Sequence, residues 1–314
     1  MQQRRWWKTA ITFVLFTTVL LLSICQVAYI LRMKEYIFVW DNYRQLEEES
    51  IDVFFVGSSH QFCSINTDIL YDEYGINGFM LATSAQTIPM SYYTIMEVIE
   101  THHPEAIVLE ASYCANDFRV VSAEMSHYFF DGMPWTKAKK LAVEDLIEED
   151  QRIYFYLNLG QYHNRWKELK EFDFQSNVTA PRGNHVFEDI SYNWEIPVLP
   201  NTEKEDMPQE MEKYMDMIVE LCKQHNVELI MYIAPFNSLY GDEHTVNDLY
   251  YRQRVFNKLY DYAEEKGIRY YNLFHELDAL NLDGTTDFKD SQHLNYYGQE
   301  KFTRYMVEKG YLDY

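Results

Sequence analysis

Val53-Phe54-Phe55-Val56-Gly57-Ser58-Ser59-His60 reads as a buried strand that ends on a turn: four β-branched or aromatic residues run unbroken into Gly-Ser-Ser, and helix-like sequence starts at about Asn66. Such a strand delivers a hydroxyl to the start of a helix, which is where a nucleophile would be placed. A serine hydroxyl is weakly nucleophilic at neutral pH and needs a base within hydrogen-bond reach. Asp290-Ser291-Gln292-His293-Leu294-Asn295, nearly the whole chain away, offers one. An Asp three residues before a His on one loop can both supply the base and orient it. The same pair could instead cap a helix, since Asp does so readily.

Working outward, strand and helix alternate. Gly78-Phe79-Met80-Leu81 predicts a second strand, Pro89 to Thr101 a helix with Pro in its first turn, and Ala106 to Ala111 a third strand. Between about 118 and 202 the alternation stops. A helical stretch from Thr136 to Phe172 is followed by an irregular one carrying Pro181, Gly183, Pro197 and Pro200, which reads as an insertion over the site. Then come a helix from Met211 to His225, a strand from Val227 to Ala234, a helix from Val246 to Lys266 closed by Gly267, and a strand from Ile268 to Leu273. A final helix starts at about Tyr297. The expected fold is α/β: three α/β/α layers around a parallel, flavodoxin-like sheet buried on both faces, with sites beyond the carboxyl ends of the strands. Ser59 and Asn116 fall on that edge, as does Asn237 by topology alone.

Thr9 to Leu31 holds no charged residue, and 23 residues at helical rise span about 34 Å, enough to cross a bilayer core. Arg4, Arg5 and Lys8 before it favour a cytoplasmic amino terminus with the bulk of the chain outside. The run is long for a signal peptide and ends without a small-x-small site, so an uncleaved signal anchor is expected. The chain thus divides into a cytoplasmic tip and transmembrane anchor over 1–34, a juxtamembrane linker over 35–50 and the α/β domain over 51–314.

Of the 314 residues, 47% are apolar and 17% aromatic, ample for a packed core. A formal charge of -22 argues against nucleic acid or an anionic surface as partner of the globular part, because both need a basic face. A neutral or sugar-like partner is easier to accommodate, and the 27 Tyr serve equally as sugar-stacking rings or as core filler. Four cysteines, at 25, 63, 114 and 222, lack metal-ligand spacing and exclude a disulfide scaffold. Cys63 and Cys114, both just beyond strand ends, are placed where a disulfide could form. No metal or cofactor is expected. Asn177-Val178-Thr179 matches a glycosylation triplet and carries no weight.

Gly57-Ser58-Ser59 together with Asp290-Ser291-Gln292-His293 resembles the first and last motif blocks of the SGNH/GDSL hydrolase superfamily, with Ser59 and not Ser58 in the nucleophile position. The membrane helix, the Gly57-Ser58-Ser59-His60 block and the ending Asp290-x-x-His293-Leu294-Asn295-x-x-Gly298 look like that superfamily's membrane-anchored branch. Members of that branch work beside membrane-bound O-acyltransferases in teichoic-acid D-alanylation or polysaccharide O-acetylation. The resemblance implies a Ser59–His293–Asp290 triad and an oxyanion hole from the backbone of Ser59 and from the second and third blocks. Cys114-Ala115-Asn116-Asp117 resembles the third block, with Asn116 in the Asn position. In the second, Ser84 or Ala85 of Thr83-Ser84-Ala85-Gln86 stands where a Gly is expected, and the backbone N–H of Ala85 survives that change.

Tyr162-His163-Asn164-Arg165-Trp166, inside the insertion, gathers a His, an Arg and two aromatics. His163 and Arg165 are candidate contacts for an acceptor, or else anchor the insertion. The leading expectation is an extracytoplasmic serine acyl-transfer enzyme acting on O-acyl groups of an envelope glycan or polyol; the alternative is a non-catalytic envelope binding or scaffold protein that kept the fold.

Overall fold

The computed structural model describes residues 2–32, 39–47, 50–174, 180–190, 199–237 and 243–314. The Asn177 triplet and parts of the 35–50 linker lie outside these residues. In chain order the elements are α1 Gln2–Leu31, α2 Val39–Tyr43, β1 Val53–Gly57, α3 Ser59–Ser64, α4 Thr67–Tyr74, β2 Gly78–Ala82, α5 Ile88–His102 and β3 Ala106–Glu110. There follow α6 Ala123–Phe130, α7 Lys137–Leu146, α8 Arg152–Tyr156, α9 Leu159–Tyr162, α10 Glu171–Phe174, α11 Gln209–His225, β4 Glu228–Ile233, α12 Glu243–Lys266, β5 Arg269–Asn272 and α13 Tyr296–Glu308.

The five strands are all parallel, in the order β2-β1-β3-β4-β5. This is the flavodoxin-like order of a doubly wound sheet. Side chains along each strand alternate between two cores. Phe54, Val56, Ile107 and Leu109 face a cluster built with α5, α7, α11 and α12. Val53, Phe55, Ala106 and Val108 face a second one with Phe62 of α3, Leu70 of α4 and Phe302 of α13. Because both faces are covered, β1, β2 and β3 are buried along their whole length, which is why the sequence shows continuous apolar runs rather than alternation.

The same alternation separates two cysteines. Cys63 belongs to the second core and Cys114 to the first; both are buried and free, with the sheet between them, so the expected disulfide does not form.

The 118–202 stretch does several jobs. Phe129, Phe130, Ala138 and Val143 of α6 and α7 join the core against α5. Farther on, the Arg182 carbonyl accepts from Met80 N at 2.9 Å and so covers the edge of β2. The Phe187 carbonyl accepts from Tyr296 N at 2.7 Å, and the Phe187 ring lies under Lys289 Nζ, beside the loop that carries His293. In α1, Trp6–Leu31 forms one helix long and apolar enough to cross a membrane, almost wholly exposed.

The ends of β1 and β3 meet closely. Gly57 has φ +154, and a Cβ built there would stand 3.0 Å from Gln61 Cβ and 3.1 Å from Glu110 Cβ. Both the backbone conformation and the space therefore select Gly. Gly57→Ala is expected to cost about 2 kcal/mol or more in urea unfolding of the purified chain, from strain and overpacking combined.

Candidate active site

Ser58 and Ser59 stand next to each other but do different things. Ser58 is the N-cap of α3, its hydroxyl accepting from His60 N at 3.2 Å, and it is buried. Ser59 is the first residue of the helix and is partly exposed. Its Oγ–H donates to His293 Nε2 at 2.8 Å.

The loop bearing His293 is folded by Asp290. One carboxylate oxygen accepts from the backbone N–H of Gln292 at 2.8 Å and of His293 at 2.9 Å, and both oxygens lie 2.9 Å from His293 Nδ1. The ring therefore donates from Nδ1 and leaves Nε2 as the acceptor facing Ser59. Burial acts to raise the Asp290 carboxyl, but the hydrogen bonds and charge of His293 and the Gln292 N–H outweigh it and hold the group below the ordinary carboxylate range. Asp290 does not cap the following helix. That role belongs to Asn295, whose Oδ1 accepts from Tyr297 N and Gly298 N at 3.1 and 3.2 Å.

Three residues that carry no motif role, His60, Phe236 and Asn237, hold this arrangement. His60 lies stacked between Phe236 and His293, its ring centroid 4.9 Å from each. Its Nδ1 is 3.1 Å from the Gln292 carbonyl. Burial first, and the neighbouring His293 second, push its pKa well below the ordinary histidine value, so His60 presents an uncharged ring to the base. Asn237, on the carboxyl side of β4, donates its N–H to the Ser291 carbonyl at 3.1 Å and its Nδ2–H to the Gly284 carbonyl at 2.7 Å. These contacts join α3 and the end of β4 to the 284–293 loop across large sequence separations, and only the fold reveals them.

Ala85 is the third residue of a turn in which Gln86 N donates to the Thr83 carbonyl, and it has φ +55. That left-handed backbone is the physical reason a Gly suits the position. The turn sits against the end of β1, because Thr83 N donates to the Gly57 carbonyl at 3.3 Å. Asn116 ends a 3-10 turn after β3 and is buried. Arg165 is elsewhere: its guanidinium reaches the carbonyls of Leu31 and Arg32 at 3.1 and 3.0 Å and pairs with Asp173 at 2.5 Å. His163 is exposed and engages the Gly160 carbonyl and Asn164. Neither bonds to Ser59, His293 or Asp290, and of the two expectations for this cluster Arg165 meets the anchoring one.

No protein-family model and no curated protein matches the sequence. Similar solved structures include a GDSL-like lipase from Bacteroides thetaiotaomicron, at 10% identity over 87% of this chain and 98% of that one with a TM-score of 0.44. Another is the psychrotrophic esterase EstA from Pseudoalteromonas sp., at 13% identity over 84% of this chain and 99% of that one with a TM-score of 0.41.

Glu110, at the end of β3, is buried, and burial raises its carboxyl to about 7 against the hydrogen bonds from Ser112 and Ala234 N. The folded protein then keeps this proton while the unfolded chain releases it near pH 4.5. Raising the pH across that window favours unfolding, by on the order of 3 kcal/mol at most. Stability measured by urea titration is expected to fall between about pH 4.5 and 7, and Glu110→Gln should flatten that stretch. Ala85→Gly, which relieves the left-handed strain, should raise the unfolding midpoint by up to about 1 kcal/mol equivalent.

Proposed function

We propose that the chain is a membrane-anchored serine acyl-transfer enzyme that acts on O-acyl groups of a cell-envelope polysaccharide, as transferase or esterase, with its α/β domain outside the cytoplasm. The observation that carries this reading is the unbroken hydrogen-bond chain from Ser59 Oγ through His293 to Asp290 at the carboxyl edge of the sheet. His293 Nε2 takes the Ser59 proton as Oγ bonds to the carbonyl carbon of an ester or thioester. Asp290 supports the imidazolium that results, and the neutral His60 ring beside it adds no opposing charge. The oxyanion is met by the backbone N–H of Ser59, with the Ala85 N–H and the Asn116 side chain as further candidate donors. His293 then gives its proton to the departing oxygen or sulfur. In the second half it deprotonates the acceptor, which attacks the acyl-serine and frees Ser59.

Water as acceptor makes the enzyme an esterase; a sugar or polyol hydroxyl makes it an O-acyltransferase, with acyl groups fed by a membrane-bound O-acyltransferase. The membrane helix supports the anchored placement, and the acidic domain suits a neutral glycan better than an anionic polymer.

Hydrolysis of a small acetyl ester by the purified full-length chain tests the nucleophile. Ser59→Ala should lower turnover by about a thousandfold or more without changing the unfolding midpoint. Ser58→Ala should keep turnover within a few-fold and lose about 1 kcal/mol of stability, because it removes a helix cap. Asp290→Asn should lower turnover by up to about ten-thousandfold through the wrong imidazole tautomer. Unchanged turnover in Ser59→Ala overturns the assignment. Silence from the wild type, with and without a membrane-bound acyltransferase supplied, leaves the binding or scaffold alternative.

A further inference from the structure

The exit of α1 is clamped onto the domain. Arg165 gathers the last carbonyls of the helix while pairing with buried Asp173. Arg32, the next residue, forms a buried 2.6 Å pair with Asp41 of α2, which Arg44 also joins at 2.6 Å. A helix held at its end by these charge-assisted bonds points in a fixed direction from the domain rather than swinging on a tether. Between the helix and the domain runs a groove of about 280 Å³, with Ile24, Cys25 and Ala28 on one side and Phe155, Tyr156 and Leu157 on the other. Ile24 is seven residues before Leu31, so at helical rise α8 and α9 reach about 10 Å back along the helix from its end. If α1 crosses a bilayer, that depth lies inside the outer leaflet.

The surface there is made for such a place. Leu157, Trp166 and Phe174 are 64%, 63% and 60% exposed, and Trp135 stacks on Tyr156 and lies under Lys139 Nζ. Arg32, Arg44 and Lys139 also line the groove, against Asp131 and the Asp41 that the two arginines share, which leaves its mouth net positive. From 132 to 174 the chain carries seven Lys or Arg against eight Asp or Glu, so this segment escapes the strong negative charge that keeps the rest away from a lipid surface. Exposed Trp and Tyr with nearby cations are the composition of a membrane–water boundary.

We infer that residues 135–174 form a collar that seats the domain in the outer leaflet around α1, and that the groove between helix and collar takes the acyl chain of a phospholipid whose anionic head group meets Lys139, Arg44 and Arg32. The inference rests on the membrane-anchored reading. The continuity of the groove with the wall of α1 identifies lipid as its occupant.

Spin labels on the full chain in nanodiscs, in a Cys25→Ser background that leaves the three buried cysteines in place, test it. Labels are placed by Leu157→Cys, Phe174→Cys, Leu20→Cys in mid-helix and Glu220→Cys on the exposed face of α11. Collisions with oxygen, which concentrates in lipid, are compared with collisions with a water-soluble nickel chelate. The expected result is a lipid-like ratio at 20, 157 and 174 and a water-like ratio at 220. Lipid at 20 with water at 157 and 174 overturns the collar and spares the anchor. Water at 20 as well overturns both. Labels at 157 and 174 shielded from both reagents, in native membranes but not in nanodiscs, place a protein partner there and overturn the lipid assignment.

Discussion

Where β1 turns into α3 there is no room for a side chain. Gly57 passes so near Gln61 and Glu110 that any Cβ would have to displace one of them, and its φ of +154 is open only to Gly without strain. This close approach fixes the direction in which the chain leaves the sheet. Ser58 can then cap α3, and Ser59, one residue later, meets a histidine 234 positions away in sequence. A parallel sheet with its covering helices makes that meeting reproducible, because each strand delivers its carboxyl end to the same edge.

The other half of the site depends on a second close approach. Gly298 of α13 lies where a Cβ would be 2.2 Å from the Asp287 carbonyl oxygen, while Leu294 is buried and Asn295 caps the helix. Lys289 N donates to the His293 carbonyl at 2.9 Å, closing a tight bend with Asp290 inside it. The pattern His-Leu-Asn-x-x-Gly is thus a structural prescription. Leu294 seats the loop, Asn295 starts the helix, and Gly298 lets helix and loop pack in contact. His60 and Asn237 then pin the Gln292 and Ser291 carbonyls, so the His293 ring is positioned by backbone contacts as well as by the Asp290 carboxylate.

The strands were legible because sheets buried on both faces need continuous apolar runs, and the long amphipathic helices because their caps and periodicity are local. Asn66 and Thr87 cap α4 and α5 close to the predicted starts. The six-residue α3 was missed, since so short a helix has no period to read. Ser59, Asp290 and His293 stood out because a serine nucleophile with a base and its orienter would impose residue type and spacing. His60, Phe236 and Asn237 did not, because stacking and backbone pinning leave no signature until the chain is folded. The His163–Arg165 cluster stayed open between two readings for a related reason: an Arg that binds substrate and one that caps a helix look alike in sequence. Its carbonyl partners at 31 and 32 are more than 130 residues away.

The exit of α1 and the Ser59 edge sit at opposite ends of one helix. The α5 cap, Thr87, follows the turn that touches the end of β1, whereas near the far end of α5 Thr101 bonds to the Tyr43 hydroxyl at 2.7 Å and His102 stacks edge-on with the Tyr43 ring. Tyr43 belongs to α2, which holds Arg32 at the exit of α1 through Asp41. Fourteen residues of helix separate Thr87 from Thr101, about 21 Å. On the membrane-anchored reading, the Ser59 edge therefore opens away from the exit of the anchor. In the transferase form of the proposed function, an acyl group handed over at the membrane surface would have that distance to cover before it met Ser59, and a glycan acceptor lying outside would not.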